Sequence, residues 1–467
     1  MGKKTPYIIE QVSILDFAAE GVSVARMDGK VYFVKNAVPG DVADIRVFRN
    51  KRAYAEAEAI KIHQYSDKRQ DAFCEHFGQC GGCKWQQVKY EEQLQFKYQQ
   101  VVEQFRRVGK FEFPDPLPIL GSEKTSHYRN KLEFSFSNKR WITPQEAVSE
   151  KKLYDEPALG FHIPGRFDKI LDIRTCYLQD NLSNEIRNFV RSFALTHHLS
   201  FYDIRRQEGL LRNMILRNNR KGEWMVIMIF GKDDRASISR LMDALQAQFP
   251  SIVSLQLVIN TKKNDTIHDL PVELYHGKPI ITEQLDDLTF RIQPKSFFQT
   301  NTQQAEVLYR KTREMAALTG NENVYDLYTG TGTIACFVAR QARQVVGIEY
   351  VPDAIEDAKE NARLNELSNL HFYAGDMKDL LTTTLFEKHG YPDVIITDPP
   401  RAGMHADVVE MLNRSGAQHI VYVSCNPATQ ARDIALMNDF YRVEKVQPVD
   451  MFPHTHHVEN ITLLVKK

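Results

Sequence analysis

The 467-residue chain carries 60 Lys and Arg against 60 Asp and Glu, and 43% of its residues are hydrophobic. That is enough for roughly three domains with real cores, and the charge balance confines any basic surface to local patches. No apolar run approaches the ~18 residues of a membrane span, Met1 to Pro6 lack the apolar core of a signal peptide, and six cysteines in so long a chain do not make a disulfide scaffold. A monomeric cytoplasmic chain without membrane contact is expected.

From residue 6 to 63 the pattern is of short strands: Tyr7 to Leu15, Gly21 to Arg26, Lys30 to Lys35, Asp41 to Phe48 and Tyr54 to Ile62. Asp28-Gly29 and Pro39-Gly40-Asp41 are turn signals between them. Five such strands predict a small closed barrel of the OB type, a fold often used on nucleic acid. From Arg46 to Arg69 the chain places Arg46, Arg49, Lys51, Arg52, Lys61, Lys68 and Arg69 against Glu56, Glu58 and Asp67 only. That basic excess, interleaved with Tyr54 and Tyr65, predicts an RNA-tracking surface with stacking groups.

Cys74, Cys80 and Cys83 follow, with Gly78, Gly81 and Gly82 among them. Thiols this close, on a backbone free to wrap, look like ligands, and thiolates select zinc or an iron–sulfur cluster. Spacing does not choose between the two. Cys176 is the best candidate for a fourth ligand, because Cys336 and Cys425 lie in another domain; His76 is the weaker alternative.

Trp85 to Lys110 reads as a long amphipathic helix. Strands and helices alternate to about residue 290, with a hairpin from Leu211–Arg217 and Trp224–Phe230 and helices over Asn184–Leu195 and Arg235–Gln248. This predicts a mixed α+β domain, and Thr143 to Asp155 reads as an exposed insertion. From about residue 291 the short apolar strands Asn323–Tyr328, Gln344–Glu349, Leu370–Tyr373, Asp393–Thr397 and His419–Ser424 alternate with helical stretches. That is the pattern of a doubly wound parallel sheet of Rossmann-like architecture. The chain therefore divides at 1–65, 66–290 and 291–467.

Polar residues sit at the strand ends, where such sheets bind ligands. The loop Asp326-Leu327-Tyr328-Thr329-Gly330-Thr331-Gly332-Thr333 lets the backbone approach a ligand closely, and Glu349 ends the next strand, where an acid can bind ribose hydroxyls. Taken alone, this loop fits NAD as well as S-adenosylmethionine. Asp376 and Asp398-Pro399-Pro400-Arg401 follow the third and fourth strands. Cys425 stands between a strand and the helical stretch Ala428–Met437, where amide dipoles favour a thiolate.

Together, Ser296-Phe297-Phe298-Gln299-Thr300-Asn301, the glycine loop, Asp398-Pro399-Pro400-Arg401-Ala402-Gly403, Val423-Ser424-Cys425-Asn426-Pro427 and Asp450-Met451-Phe452-Pro453-His454-Thr455 resemble the bacterial RNA uracil-5-methyltransferases. The N-terminal barrel, called a TRAM domain in that family, and the cysteine set extend the resemblance over nearly the whole chain. The branch it is most similar to acts on 23S ribosomal RNA; the transfer RNA branch typically lacks both features. The resemblance implies that Cys74, Cys80, Cys83 and Cys176 hold a [4Fe-4S] cluster. It implies an S-adenosyl-L-methionine site lined by Gln299, Tyr328, Thr333, Glu349, Asp376 and Asp398. At Thr329, Thr333 and Asp376 the family often carries Cys, Asn and Asn instead.

The implied reaction explains the residues. Uracil C5 is a poor nucleophile until a thiolate adds at C6, and the C5 proton must leave after methyl transfer. Cys425 fits the nucleophile, and by resemblance Glu459 fits the base. The target base must leave its stack to reach a thiol at a sheet edge. His454, His456 and His457 read as a loop closing the site. Two other readings compete. An NAD-dependent oxidoreductase leaves Cys425 and the barrel unexplained. A non-catalytic RNA-binding iron–sulfur protein predicts decay of Gln299, Cys425 or Glu459, and all three are present.

Overall fold

The computed structural model of the chain describes residues 6–143, 146 and 156–467. The first five residues and nearly all of the expected insertion Thr143–Asp155 lie outside the described residues.

Period-two burial builds the first sheet. Along the strand Val42–Asn50, Ala43, Ile45 and Val47 point into the core while Arg46, Phe48 and Arg49 point out. Six strands join rather than the expected five: Tyr7–Ser13, Asp16–Phe17, Ser23–Met27, Lys30–Lys35, Val42–Asn50 and Tyr54–Gln64. The extra strand is two residues long and pairs with Ser23 and Val24. The ladder runs from Tyr7–Ser13 at one edge to Asp16–Phe17 at the other, without a pairing between those edges among the described residues. The two edges are consecutive in the chain, with Ile14 bonded to Asp41 and Leu15 to Val24, so this bent first segment links both ends of the ladder as the expected closed barrel requires. Its basic excess is also smaller than the sequence suggests. Arg46 pairs with Glu58, Arg49 with Glu56, Lys68 with Glu92 and Arg69 with the buried Asp41. Lys51, Arg52 and Lys61 have no ion pair among the described residues; Tyr65 is exposed at the end of the strand Tyr54–Gln64 away from Lys51 and Arg52.

The expected helix from Trp85 begins only at Tyr90, because Trp85 and Val88 are buried in a small cluster with Val38 and Phe17. It runs to Gln104 and closes with a π turn, Phe105–Gly109. The central sheet has seven strands in the order Glu273–Gly277, Ile252–Ile259, Trp224–Phe230, Leu211–Asn218, Lys131–Ser137, Ala158–Ile163 and Arg166–Asp172. Leu182–Thr196 and Arg235–Gln248 pack on it through apolar faces such as Ile238, Leu241, Met242 and Leu245.

The C-terminal sheet also has seven strands. Leu370–Ala374, Gln344–Glu349, Asn323–Leu327, Val394–Thr397 and His419–Ser424 are parallel, as expected. Two antiparallel strands, Glu459–Lys466 and Tyr441–Val449, complete the edge, so the sheet is mixed. The boundary expected at residue 290 falls inside the strand Leu288–Ile292, whose Phe290 is buried in the same core as Phe337 and Tyr309.

Candidate active site

All five parallel strands point their carboxyl ends to one edge, and the reversed strand begins at that edge. Ser424 pairs with Asn460, so one step further along the register Cys425 faces Glu459. Thr397 pairs with Tyr422, which brings Asp398 alongside. Cys425, Glu459 and Asp398 therefore converge although 61 residues separate the first and last in sequence.

Local rules place the thiol. Ser424 ends the strand, Asn426 caps the next helix by accepting from the Ala428 amide at 3.2 Å, and Pro427 starts it. Arg401 is tied to this turn. Its carbonyl accepts from Asn426 Nδ2 at 3.0 Å and Thr429 Oγ1 at 3.2 Å, and its Nη2 lies 3.1 Å from His457 Nδ1. The thiol meets opposing influences. Burial, and then Glu459 and Asp398, push the Cys425 thiol up to about 11, while Arg401 pulls the other way. Desolvation is the largest of these influences.

The acids respond in kind. Desolvation raises Asp398 to about 7, and desolvation with Asp398 raises Glu459 to about 8. Asp326 is fully buried and pushed up to about 7 by desolvation; Thr329 bonds one of its oxygens, and Oδ1 has no hydrogen-bond partner. Tyr309 is raised well above its ordinary value by burial and by Asp398, Glu459 and Asp326. His454, His456 and His457 are driven down to about 4, 3 and 4, chiefly by burial, and are neutral at pH 7.

The glycine loop turns sharply after Leu327. Tyr328 adopts φ 63°, rare for a residue with a side chain, and Gly330 and Gly332 follow at φ 54° and 76°. A Cβ on Gly332 would stand 2.9 Å from Ala358 Cβ, so the helix Pro352–Leu364 requires a glycine there. Glu349 Oε2 accepts from the Gly330 amide at 3.1 Å and Oε1 from the Val351 amide at 3.0 Å, which fixes the carboxylate beside the loop. Gln299 lies just before the helix Thr302–Ala316, its carbonyl held by Asn130 Nδ2 at 2.8 Å. Thr333 is buried as the first residue of Thr333–Ala339, its hydroxyl 3.4 Å from that of Thr331. Asp376 caps the short helix Met377–Leu380, accepting from the Lys378 amide at 3.2 Å, so it already has a local structural task.

Cys74, Cys80, Cys83 and Cys176 are free thiols that line one cavity of about 890 Å³ between the cysteine loop and the central sheet. Among the described residues, no three His, Cys, Asp or Glu side chains converge closely enough to hold a metal ion as they stand. Burial raises all four thiols, Cys80 to about 11 and Cys83 to about 12; neighbouring sulfurs add to it at Cys80, Cys83 and Cys176, and Glu75 at Cys74. Four thiols on one largely apolar wall match the donor set of a cysteine-ligated cluster, and Arg187 and Arg129 favour the thiolate form of Cys176. His76 lines the same cavity, but its Nε2 accepts from the Arg174 amide at 3.0 Å.

Sequence reasoning did not single out Asp326 or Tyr309. Tyr309 lies on the buried face of its helix with Ala305, Leu308 and Thr312, and its spacing alone does not mark it out from them.

Residues 221–467 match the tRNA (uracil-5-)-methyltransferase family, and residues 9–60 match the TRAM domain. The chain is 56% identical to an RNA methyltransferase of Bacteroides thetaiotaomicron, over 96% of this chain and 99% of that protein. It is 53% identical to another from Porphyromonas gingivalis, over 97% and 99%. The structure resembles the Pyrococcus abyssi tRNA (uracil-54, C5)-methyltransferase in complex with S-adenosyl-L-homocysteine. The TM-score is 0.74 at 30% identity, covering 97% of this chain and 100% of that one. No helix among the described residues is long and apolar enough to cross a membrane.

Proposed function

Because the chain belongs to the tRNA (uracil-5-)-methyltransferase family, and is thus an S-adenosyl-L-methionine-dependent RNA methyltransferase, we propose that it methylates C5 of a uridine in 23S ribosomal RNA through a Cys425 adduct. The observation that carries the mechanism is the register that sets Cys425 opposite Glu459 with Asp398 beside them.

Bound S-adenosyl-L-methionine supplies an electrophilic methyl group on a sulfonium. Cys425 Sγ, once deprotonated, forms a bond to uracil C6, and the displaced π electrons make C5 a nucleophile. C5 takes the methyl group, and the sulfonium leaves as a neutral thioether. Glu459 then accepts the C5 proton; the electrons of that C–H bond restore the C5–C6 double bond and expel Cys425 as thiolate. Glu459 suits this task because its raised affinity for protons makes it a stronger base than an exposed carboxylate. Arg401, beside the thiol, favours its anion. Asp326 Oδ1 offers an unpartnered buried acceptor for a cationic donor, and Gln299, Tyr328, Glu349 and Asp398 complete the donor site. Thr333 and Asp376 take part less directly, through the loop and the short helix they start. In this reading residues 1–65 serve RNA, the central domain the cysteine site and part of the RNA path, and the C-terminal domain, which takes in the strand Leu288–Ile292, the chemistry.

Cys74, Cys80, Cys83 and Cys176 would hold a [4Fe-4S] cluster as four thiolate ligands, cross-linking the cysteine loop to the central sheet. The cavity shared by the four thiols supports this. Anaerobically purified protein is expected to carry about four irons per chain, as four Cys ligands around such a cluster require. Stoichiometric zinc without iron would remove the cluster from the account.

The likeness to a transfer RNA enzyme over 97% of the chain favours a second reading, in which the target uridine lies in tRNA. Mass mapping of 5-methyluridine in ribosomal and transfer RNA, from cells with and without this protein, decides between them. Loss of the modification from tRNA alone would overturn the ribosomal assignment, and loss from neither would overturn the function.

A further inference from the structure

Glu459 opens a strand, and its partner across the ladder is Val449, the last residue of the preceding strand. Residues 450–458 are therefore a hairpin loop, and the direction of the Glu459 side chain depends on how that loop is held. The sheet does not hold it alone. Lys97, wholly buried, donates to Asp450 Oδ1 at 2.5 Å and to the Phe452 carbonyl at 3.1 Å. Tyr90 donates to Asp450 Oδ2 at 2.8 Å. Gln93, also wholly buried, accepts from the His454 amide at 2.8 Å, with its Nε2 3.1 Å from His454 Nδ1. Tyr90, Gln93 and Lys97 are spaced by three and four residues on the helix Tyr90–Gln104, and so share one face.

The other end of the clamp leads to the cysteine site. The amides of Lys84 and Trp85, the two residues after Cys83, both donate to the His454 carbonyl, at 2.8 and 3.0 Å. His454 sits at φ 64°, a strained conformation that persists only where its surroundings over-determine it. A fully buried lysine–aspartate pair is an expensive way to add stability, and hydrophobic replacements often do as well. A pair of this kind is better suited to fixing one geometry.

We propose that the Tyr90–Gln93–Lys97 face is a positioning device for proton removal: it holds the loop 450–458 so that Glu459 points at the target carbon, and the turn after Cys83 anchors the same loop to the cysteine cradle. The proposal rests on the reading of Glu459 as the base. None of these three residues touches the reacting atoms; each acts through the loop.

The test separates the two halves of the reaction in the full-length protein, using uridine RNA and methyl-labelled donor in single turnover. In Lys97→Met, methyl transfer is expected to stay within about threefold of wild type, while adduct resolution slows by roughly 10²-fold, the scale of a small misplacement of a catalytic group. A labelled covalent RNA–protein complex should accumulate, and amide exchange in residues 450–458 should rise. Gln93→Leu, which strands no buried charge, should do the same and decides the matter if Lys97→Met does not fold. Parallel losses in both steps, or none in either, would reduce the helix to a structural role and overturn the proposal. Glu459→Gln is run alongside. If that variant resolves its adduct normally while Lys97→Met stalls, the loop positions some other base and the assignment of Glu459 fails separately.

Discussion

Cys425→Ala is expected to bind S-adenosyl-L-methionine as wild type does and to transfer no methyl group. Addition at C6 has no substitute once the thiol is gone, because no second thiol stands at that edge of the sheet: Cys336 is buried in the core and the other four line the cavity of the central domain. The loss should be on the order of 10⁶-fold, the scale on which removal of a covalent nucleophile is felt. Donor binding should survive because the glycine loop, Glu349 and Asp398 are built on other strands. RNA carrying 5-fluorouridine should trap the wild type as a stable adduct, since fluorine cannot leave as the proton does. Adduct formation by Cys425→Ala on a denaturing gel would show that another residue attacks.

Glu459→Gln should methylate its substrate and then stop. Proton removal comes after methyl transfer, and the thiolate cannot be expelled until the proton has gone. The amide keeps the shape of the side chain but is a far weaker base, so resolution should slow by roughly 10²- to 10⁴-fold. The substitution also removes a carboxylate that raises the neighbouring thiol, so the first addition should be no slower than in wild type. The variant is expected to accumulate a methyl-labelled covalent complex on ordinary uridine RNA, and Cys425→Ala in the same chain should abolish it. Wild-type turnover with no labelled complex would move the base elsewhere.

Much of the site was legible in the sequence because parallel α/β sheets place ligand-binding groups at strand ends, and strand ends can be read locally. Gly330, Gly332, Glu349, Asp398 and Cys425 all follow short apolar runs that are strands in the structure. What was not legible depends on non-local pairing. The direction of the last two strands is set by their pairing across the loop 450–458, which local spacing does not reveal, so a wholly parallel sheet is what the sequence suggests. Lys97 and Asp450 are 353 residues apart, and nothing in the spacing of Lys97 marks a buried ion pair. The influences on the Cys425 thiol are non-local in the same way. The helix dipole is a local property, but the burial and the two carboxylates arrive from other strands. The basic stretch after Arg46 was overcounted because Asp41 and Glu92 lie outside the window in which charges were compared.

The carboxyl groups at the sheet edge carry a consequence for the order in which ligands come and go. Asp326 and Asp398 near 7 and Glu459 near 8 are partly protonated at neutral pH, which makes the site a proton reservoir. The methyl donor carries a net positive charge and its thioether product none. A cation entering this pocket stabilises the ionised acids, so its arrival expels protons and its affinity should climb as pH rises through about 7 to 8, levelling off once the acids are ionised. The product gives no such stabilisation, so Asp326 and Asp398 recapture protons once methyl transfer erases the charge, while Glu459 takes its proton from C5. Methyl transfer thus discharges the pocket as well as the donor, and loosens its own by-product. Calorimetric titrations of donor and product between about pH 6 and 9 should show a steep rise for the first and a shallow one for the second; equal slopes would leave the raised acids without this role.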